Sequence, residues 1–377
     1  MNFKKSKIRS LVLLALAAVA FCGLIWFANK DRPVYRSSNM AGTDYEVGRV
    51  LRVVEDHKTV DEEMDGIWRG SMTLEVEILT GRYKGDTAIV ENYFSSLYNV
   101  RVAEGDKVSI RIDTTGEDEY QVSVYNYYRV PQMIGCIVAF VLLLVLIGGK
   151  KGAKSVAGLA FTVVCILWIL LPLALKGYSP LAVTILLILV CNFVSFFLID
   201  GISTKTVVAA IGSMLGVLAG AVFALIAQNA MSITTYQMDE AETLLLITST
   251  TELKIRDLFL CGILISCMGA VMDVAMSICS AVAEIHQVDR SLGMAKLFAS
   301  GVNMGTMANT LILAVAGTSL NMMLMIYSYD VSFQQLMNTD FVAIEIIQCI
   351  AGSVGIVCTV PLVALLSAAV FGKKTKK

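Results

Sequence analysis

The sequence predicts an α-helical, multi-spanning membrane protein of about eight helices, with a small extracytoplasmic all-β domain inserted after the first helix. Three observations carry this. Of 377 residues, 56% are apolar and only 16% charged, against about 25% charged in an ordinary soluble domain. Apolar runs near the roughly 20 residues needed to cross a bilayer recur along the chain. Residues 30–130 break that pattern, with 13 Lys and Arg against 19 Asp and Glu and an alternation typical of strands.

The first element follows Lys4, Lys5, Lys7 and Arg9 and runs unbroken from Leu11 to Ala28. Ala18-Val19-Ala20 has the form of a signal-peptidase site. Cleavage there would expose the apolar Phe21-Cys22-Gly23-Leu24-Ile25-Trp26-Phe27, and the bulky Phe21 argues against a lipoprotein cysteine at Cys22. Residues 1–29 therefore read as an uncleaved signal anchor.

Residues 30–129 read as the β domain. Thr73-Leu74-Glu75-Val76-Glu77-Ile78-Leu79 and Lys107-Val108-Ser109-Ile110-Arg111-Ile112 alternate with period two, and Gly81, Gly85, Gly105 and Gly116 mark turns. Five or so short strands suit a small barrel, with the OB type among the options. A net charge of −6 argues against nucleic acid or anionic lipid as the ligand of this domain.

Residues 130–372 read as a membrane domain with seven further spans, at roughly 131–148, 155–175, 181–199, 206–228, 257–282, 303–326 and 341–370, and 373–377 as a basic tail. With both termini in the cytoplasm, the inside segments carry fourteen Lys and Arg: Lys4, Lys5, Lys7, Arg9, Lys150, Lys151, Lys154, Lys205, Arg290, Lys296, Lys373, Lys374, Lys376 and Lys377. The short outside loops carry three, Lys176, Lys254 and Arg256. The positive-inside rule favours that orientation, in the plasma membrane with the β domain outside. The outside connection 229–256 contains Met238-Asp239-Glu240-Ala241-Glu242-Thr243-Leu244-Leu245-Leu246, a short amphipathic helix expected to rest on the bundle surface. The inside connection from Glu284 to Ser300 also reads as partly helical.

Two stretches place polar groups at membrane depth, where they are expensive unless they face protein or water. Asp273 lies about nine residues from the inner end of its expected span, roughly 13 Å deep. Ser277, Ser280 and Glu284 follow it at i+4, i+7 and i+11, a single polar stripe. The second stretch, Gly305-Thr306-Met307-Ala308-Asn309-Thr310, puts Thr306, Asn309 and Thr310 on one face at i+3 and i+4. Carboxylate, amide and hydroxyl oxygens suit a hard cation or a proton better than a soft metal. Asp273, Ser277, Glu284, Thr306, Asn309 and Thr310 are thus the candidate ion or solute ligands. Interhelical hydrogen bonding is the competing role.

Other features carry less. All nine cysteines lie in apolar segments and read as packing residues, with no disulfide framework or CxxC metal site, and the two histidines, His57 and His286, are far apart. Glu345 and Gln348 mark the last span, Glu345 close enough to its outer end to reach headgroups. Gly212, Gly216 and Gly220 form a GxxxGxxxG packing face. Asp200-Gly201 reads as a turn, and Gly148-Gly149-Lys150-Lys151-Gly152 lacks the spacing of a phosphate loop. No cofactor is implied.

Met268-Gly269-Ala270-Val271-Met272-Asp273-Val274-Ala275-Met276-Ser277-Ile278 and Gly305-Thr306-Met307-Ala308-Asn309-Thr310-Leu311-Ile312-Leu313-Ala314 resemble the two signature blocks of the YibE/F-like family of bacterial membrane proteins. The resemblance extends to the anchor, the outside β domain and the glycine-rich spans. It implies this organisation and a transporter-like character, and supplies no chemistry for the blocks. The chain departs from the family pattern at Val302-Asn303-Met304, where an Arg-Asp pair often stands, and at Val315, where a Tyr often follows.

The expectation is a permease for an ion or small solute. The alternative is a non-transporting sensor or assembly scaffold whose outer β domain binds an envelope partner. An intramembrane enzyme is disfavoured, because no HExxH or nucleophile elbow occurs and a lone Asp lacks the second carboxylate of an aspartyl protease. The bilayer, an ion or small solute and an envelope protein are the expected partners, and nucleic acid is not.

Overall fold

A computed structural model of the chain describes residues 18–33, 42–64, 66–96, 98–114, 119–237, 241–303, 320–329 and 332–372, together with Leu16, Leu313 and Gly317. The chain divides into two compact units, residues 36–143 and residues 1–35 with 144–377.

The first unit is built on β1 (Thr43–Asp56), β2 (Thr59–Val60), β3 (Trp68–Ile78), β4 (Thr87–Phe94), β5 (Lys107–Thr114) and β6 (Tyr120–Tyr127). All pairings are antiparallel, in the order β2-β3-β1-β5-β6 with β4 on the other edge of β3. The long β1 lies at the centre of the sheet: residues 43–49 pair with β5 and residues 48–56 with β3. Its changeover falls at Gly48, where a Cβ would lie 2.6 Å from Val76 Cγ1 and 3.0 Å from Ile110 Cγ2. Only glycine lets the sheet fold over on itself to that degree, and two register shifts between Val50 and Glu55 bend the strand onward. β4 approaches β6 on the far side, and Tyr120 donates to Asp86 Oδ2 at 3.0 Å while stacking on Tyr83. The result is a partly open half-barrel in OB-like strand order. Strand alternation decides its core: Met72, Leu74, Val76 and Ile78 of β3 and Val108, Ile110 and Ile112 of β5 point inward, fully buried.

The second unit is helical. Five helices among the described residues are long and apolar enough to cross a membrane. They are α2 (Val130–Leu175), α3 (Pro180–Asp200), α4 (Thr204–Ala230), α6 (Leu258–Val288) and α10 (Asp340–Phe371). Shorter helices are α1 (Ala18–Asn29), α5 (Ala241–Thr248), α7 (Met294–Val302), α8 (Leu320–Ser328) and α9 (Phe333–Met337). The chain is thus a multi-spanning helical membrane protein with a small β domain after its first helix. At 46 residues α2 is longer than one crossing needs. Gly149, at φ 52° and ψ −133°, breaks it into two apolar segments of spanning length, 130–148 and 150–175. These correspond to the two spans expected there. A Cβ on Gly152 would fall on the Leu144 carbonyl, so the chain doubles back at this break.

α3, α4, α6 and α10 pack around a shared core that includes Val208, Ala209, Leu264, Cys267, Val271, Ile278, Ile356 and Val363. The GxxxGxxxG face of α4 meets α10: a Cβ at Gly216 would fall on Thr359 Oγ1, and one at Gly220 would lie 2.9 Å from the Ala351 carbonyl. Small residues here let two backbones approach, as expected of a packing motif. α7 joins by the same device, with Gly301 against Ala364 and Val282. α1 is tied in by Asn29, whose Nδ2 donates to Ile25 O and Trp168 O at 2.9 Å, and by Phe21 stacked on Phe161. The short helix expected near 238–246 is present as α5, and Met238–Glu240 lie outside the described residues. Most of the expected 303–326 span also lies outside them.

Candidate functional site

α6 carries the first polar stretch. It starts after Asp257 and runs 31 residues without Pro, six residues past the expected end, so the connection after Glu284 is helical in its first part. Asp289 closes it: its Oδ1 accepts from Ser291 N at 2.9 Å and Ser291 Oγ at 2.6 Å, which holds its carboxyl below the usual range. Asp273 therefore sits at the midpoint, fifteen residues from either end of the helix, or roughly 22 Å along the axis.

The two faces of α6 differ in chemistry. Ile263, Leu264, Cys267, Val271, Val274, Ala275, Ile278, Cys279 and Val282 are buried against the bundle. The opposite face reads Gly262, Ser266, Gly269, Asp273, Ser277, Ser280, Glu284 and Gln287. All are exposed except the half-buried Ser280. Steps of three and four residues keep these eight on one line, and not one is a large apolar residue. A Cβ on Gly262 or Gly269 meets no described atom within 4 Å. The outward positions of the neighbouring helices are the reverse: Ile185, Leu186 and Val190 on α3, Leu215, Leu218, Val222 and Ile226 on α4, and Ile350, Val357 and Leu365 on α10. Those suit lipid tails. The α6 line suits water or protein.

The structure places Asp273, Ser277 and Glu284 together on this line. Thr306, Asn309 and Thr310 lie outside the described residues, as does most of the second signature block. Glu345 and Gln348 are half-buried in the first turns of α10. No group of three or more His, Cys, Asp or Glu side chains placed to hold a metal occurs among the described residues.

One further polar pair lies between α3 and α4. Asn192 of α3 and Ser213 of α4 are both fully buried. Asn192 Nδ2 is 2.8 Å from Ser213 Oγ, whose proton has two acceptors in reach, Asn192 Oδ1 at 3.0 Å and Ala210 O at 2.9 Å. An Asn inside the apolar run from Leu181 to Ile199 was a visible signal for it. The pair satisfies itself within the bundle, which is a helix-joining role.

Comparison with known families bears on the whole arrangement. The model described as YibE/F-like protein matches residues 136–373, well over half of the chain. The model described as YibE/F family N-terminal domain matches residues 40–127. The chain belongs to the YibE/F-like family. The N-terminal match covers the half-barrel, β1 to β6, and the longer match covers both signature blocks and all of the helices from α3 onward. No curated protein matches the chain, and no solved structure matches it.

Proposed function

We propose that this YibE/F-like protein is a permease for a hard cation, a proton or a small polar solute, moving its ligand along the polar line of α6. The observation that carries the reading is the eight-residue line itself, small or polar throughout and centred on Asp273. A carboxylate facing hydrocarbon at the middle of a span costs a few kcal/mol, so the line is retained for what it faces. Asp273 binds the ion or proton, Ser277 and Ser280 continue the path, and Glu284 stands near its inner mouth. Thr306, Asn309 and Thr310 complete the lining from the adjacent segment. On this reading the chain moves its ligand and does not transform it.

The same proposal sets the protein in the plasma membrane, both termini in the cytoplasm and the half-barrel outside. The fourteen-to-three distribution of Lys and Arg between inside segments and short outside loops supports this.

Flux into proteoliposomes tests the site. Asp273→Asn, close in size and uncharged, is expected to abolish flux while the protein stays folded in the membrane. Full transport by that variant overturns the assignment of Asp273. Deleting residues 36–127 and measuring the same flux separates a permease, which keeps part of it, from a scaffold acting only through its outer domain.

A further inference from the structure

At the α3–α4 turn, lysines from two elements converge on one carboxylate. Lys205 Nζ lies 2.8 Å from Asp200 Oδ2, and Lys151 Nζ lies 3.5 Å from Asp200 Oδ1. Lys154 Nζ donates to the carbonyl of Ile199 at 3.4 Å. Asp200 is largely enclosed, while the Lys151 side chain is 77% exposed, and Lys150 beside it is exposed as well. One carboxylate against the ammonium groups of Lys151, Lys154 and Lys205 leaves a net positive charge, to which the adjoining Lys150 adds, and most of the N–H donors of Lys150, Lys151 and Lys154 have no acceptor among the described residues.

Bulky apolar side chains stand exposed next to this charge. Ile202, in the turn between Asp200 and Lys205, is 85% exposed, and Leu146 and Ile147, just before the Gly149 break, are each 81% exposed. A site for a free anion has no use for them. At the boundary of a bilayer the combination is favourable, because the apolar groups enter the acyl region while the ammonium groups stay level with the phosphates. The position fits: Asp200 ends a 21-residue apolar helix, and Lys150 and Lys151 open the second apolar segment of α2.

We propose that Lys150, Lys151, Lys154 and Lys205 form a headgroup site for an anionic phospholipid, with Ile202 as its apolar anchor. Lys151 and Lys154 contact the phosphodiester. Lys205, held by Asp200, is a positioning residue that fixes the turn. The site is independent of the path along α6 and stands whether or not the chain transports.

Native mass spectrometry of the full-length protein in detergent, titrated separately with phosphatidylglycerol and phosphatidylcholine, tests this. Phosphatidylglycerol is expected to bind roughly thirtyfold more weakly to the Lys151→Ala/Lys154→Ala double variant than to the wild type. Phosphatidylcholine binding should be equal for both. Lys151→Arg/Lys154→Arg should retain the lipid, and Ile202→Ser should weaken it. Unchanged phosphatidylglycerol binding by the alanine variant overturns the proposal. So does displacement of the lipid by millimolar inorganic phosphate together with normal binding by Ile202→Ser, the signature of a free-anion site. Should the alanine variant fail to fold, the wild type at molar salt decides: lipid loss supports the site, and full retention overturns it.

Discussion

Two glycine-bearing helix faces in this protein have opposite fates. On α4, Gly212, Gly216 and Gly220 are buried, and an added Cβ at any of them would strike α10. On α6, Gly262 and Gly269 are exposed, and an added Cβ meets no described atom. The spacing of small residues is similar; their company is not. The apolar Val208 and Ala224 extend the α4 row, whereas Ser266, Asp273, Ser277 and Glu284 extend the α6 line. A small-residue row flanked by apolar positions here marks close packing, whereas one that continues into carboxylates and hydroxyls meets no neighbour among the described residues.

The largest effect that could break this comparison lies on α4. Gly216→Leu should drive α4 and α10 apart and abolish recovery of folded protein, read by fluorescence-detected size exclusion, because overpacking cannot relax against the backbone at Gly355. Gly269→Leu should be recovered normally. Equal behaviour of the two would erase the distinction. Thiol labelling sharpens it, in a background with the exposed Cys22 and Cys136 replaced by Ser. Gly269→Cys and Ser277→Cys should react with a charged, membrane-impermeant reagent, and the native, buried Cys267 and Cys279 on the opposite face of α6 should not. Silence at Ser277→Cys would mean that the α6 line is covered by protein.

Smaller effects extend the contrast to other contacts. Gly48→Val in β1 should destabilise the half-barrel by about 1–3 kcal/mol in thermal unfolding, since its branches would enter Val76 and Ile110. Asn192→Ala should cost about 0.6–2 kcal/mol, with the Ser213→Ala double variant costing little more, as expected of one shared interhelical bond. The smallest effect is local. Arg69 donates to Asp61 Oδ2 at 2.6 Å, and the amides of Glu63 and Met64 donate to Oδ1. These bonds hold the Asp61 carboxyl below its usual value. A depressed carboxyl contributes stability above its unfolded value and loses it as pH falls through the folded one. Hydrogen exchange at the Glu63 and Met64 amides should therefore accelerate more below about pH 4 than the general pH trend, and Asp61→Asn should remove that extra step.

Much of the fold was legible because each element announces itself locally. Period-two alternation marked β3 and β5, long and mostly apolar runs marked α3, α4, α6 and α10, and the spacing of Gly212, Gly216 and Gly220 marked a packing face. Half of the candidate site was equally visible, since Asp273, Ser277 and Glu284 repeat at helical intervals. Their extension through Gly262, Ser266 and Gly269 was less visible, because glycine and serine are as common in packed interfaces as in open ones. Asn192 carries no such message, because a single amide in an apolar run does not say whether its partner is water, a ligand or a neighbouring serine. In sequence the lysines around Asp200 speak only to orientation, since Lys151 and Lys205 are far apart along the chain and only the fold brings them to one carboxylate.

By itself the sequence determined the membrane character, the inserted β domain and the family, because hydropathy, alternation and motif are properties of short stretches of chain. Tertiary structure decided which small-residue row packs on a neighbouring helix and which meets none among the described residues, that Gly48 is the hinge of a two-sided strand, and that Asn192 answers Ser213. Each of these depends on what stands opposite a residue. Opposition between helices is set by how whole faces bury against one another, and no local spacing encodes it.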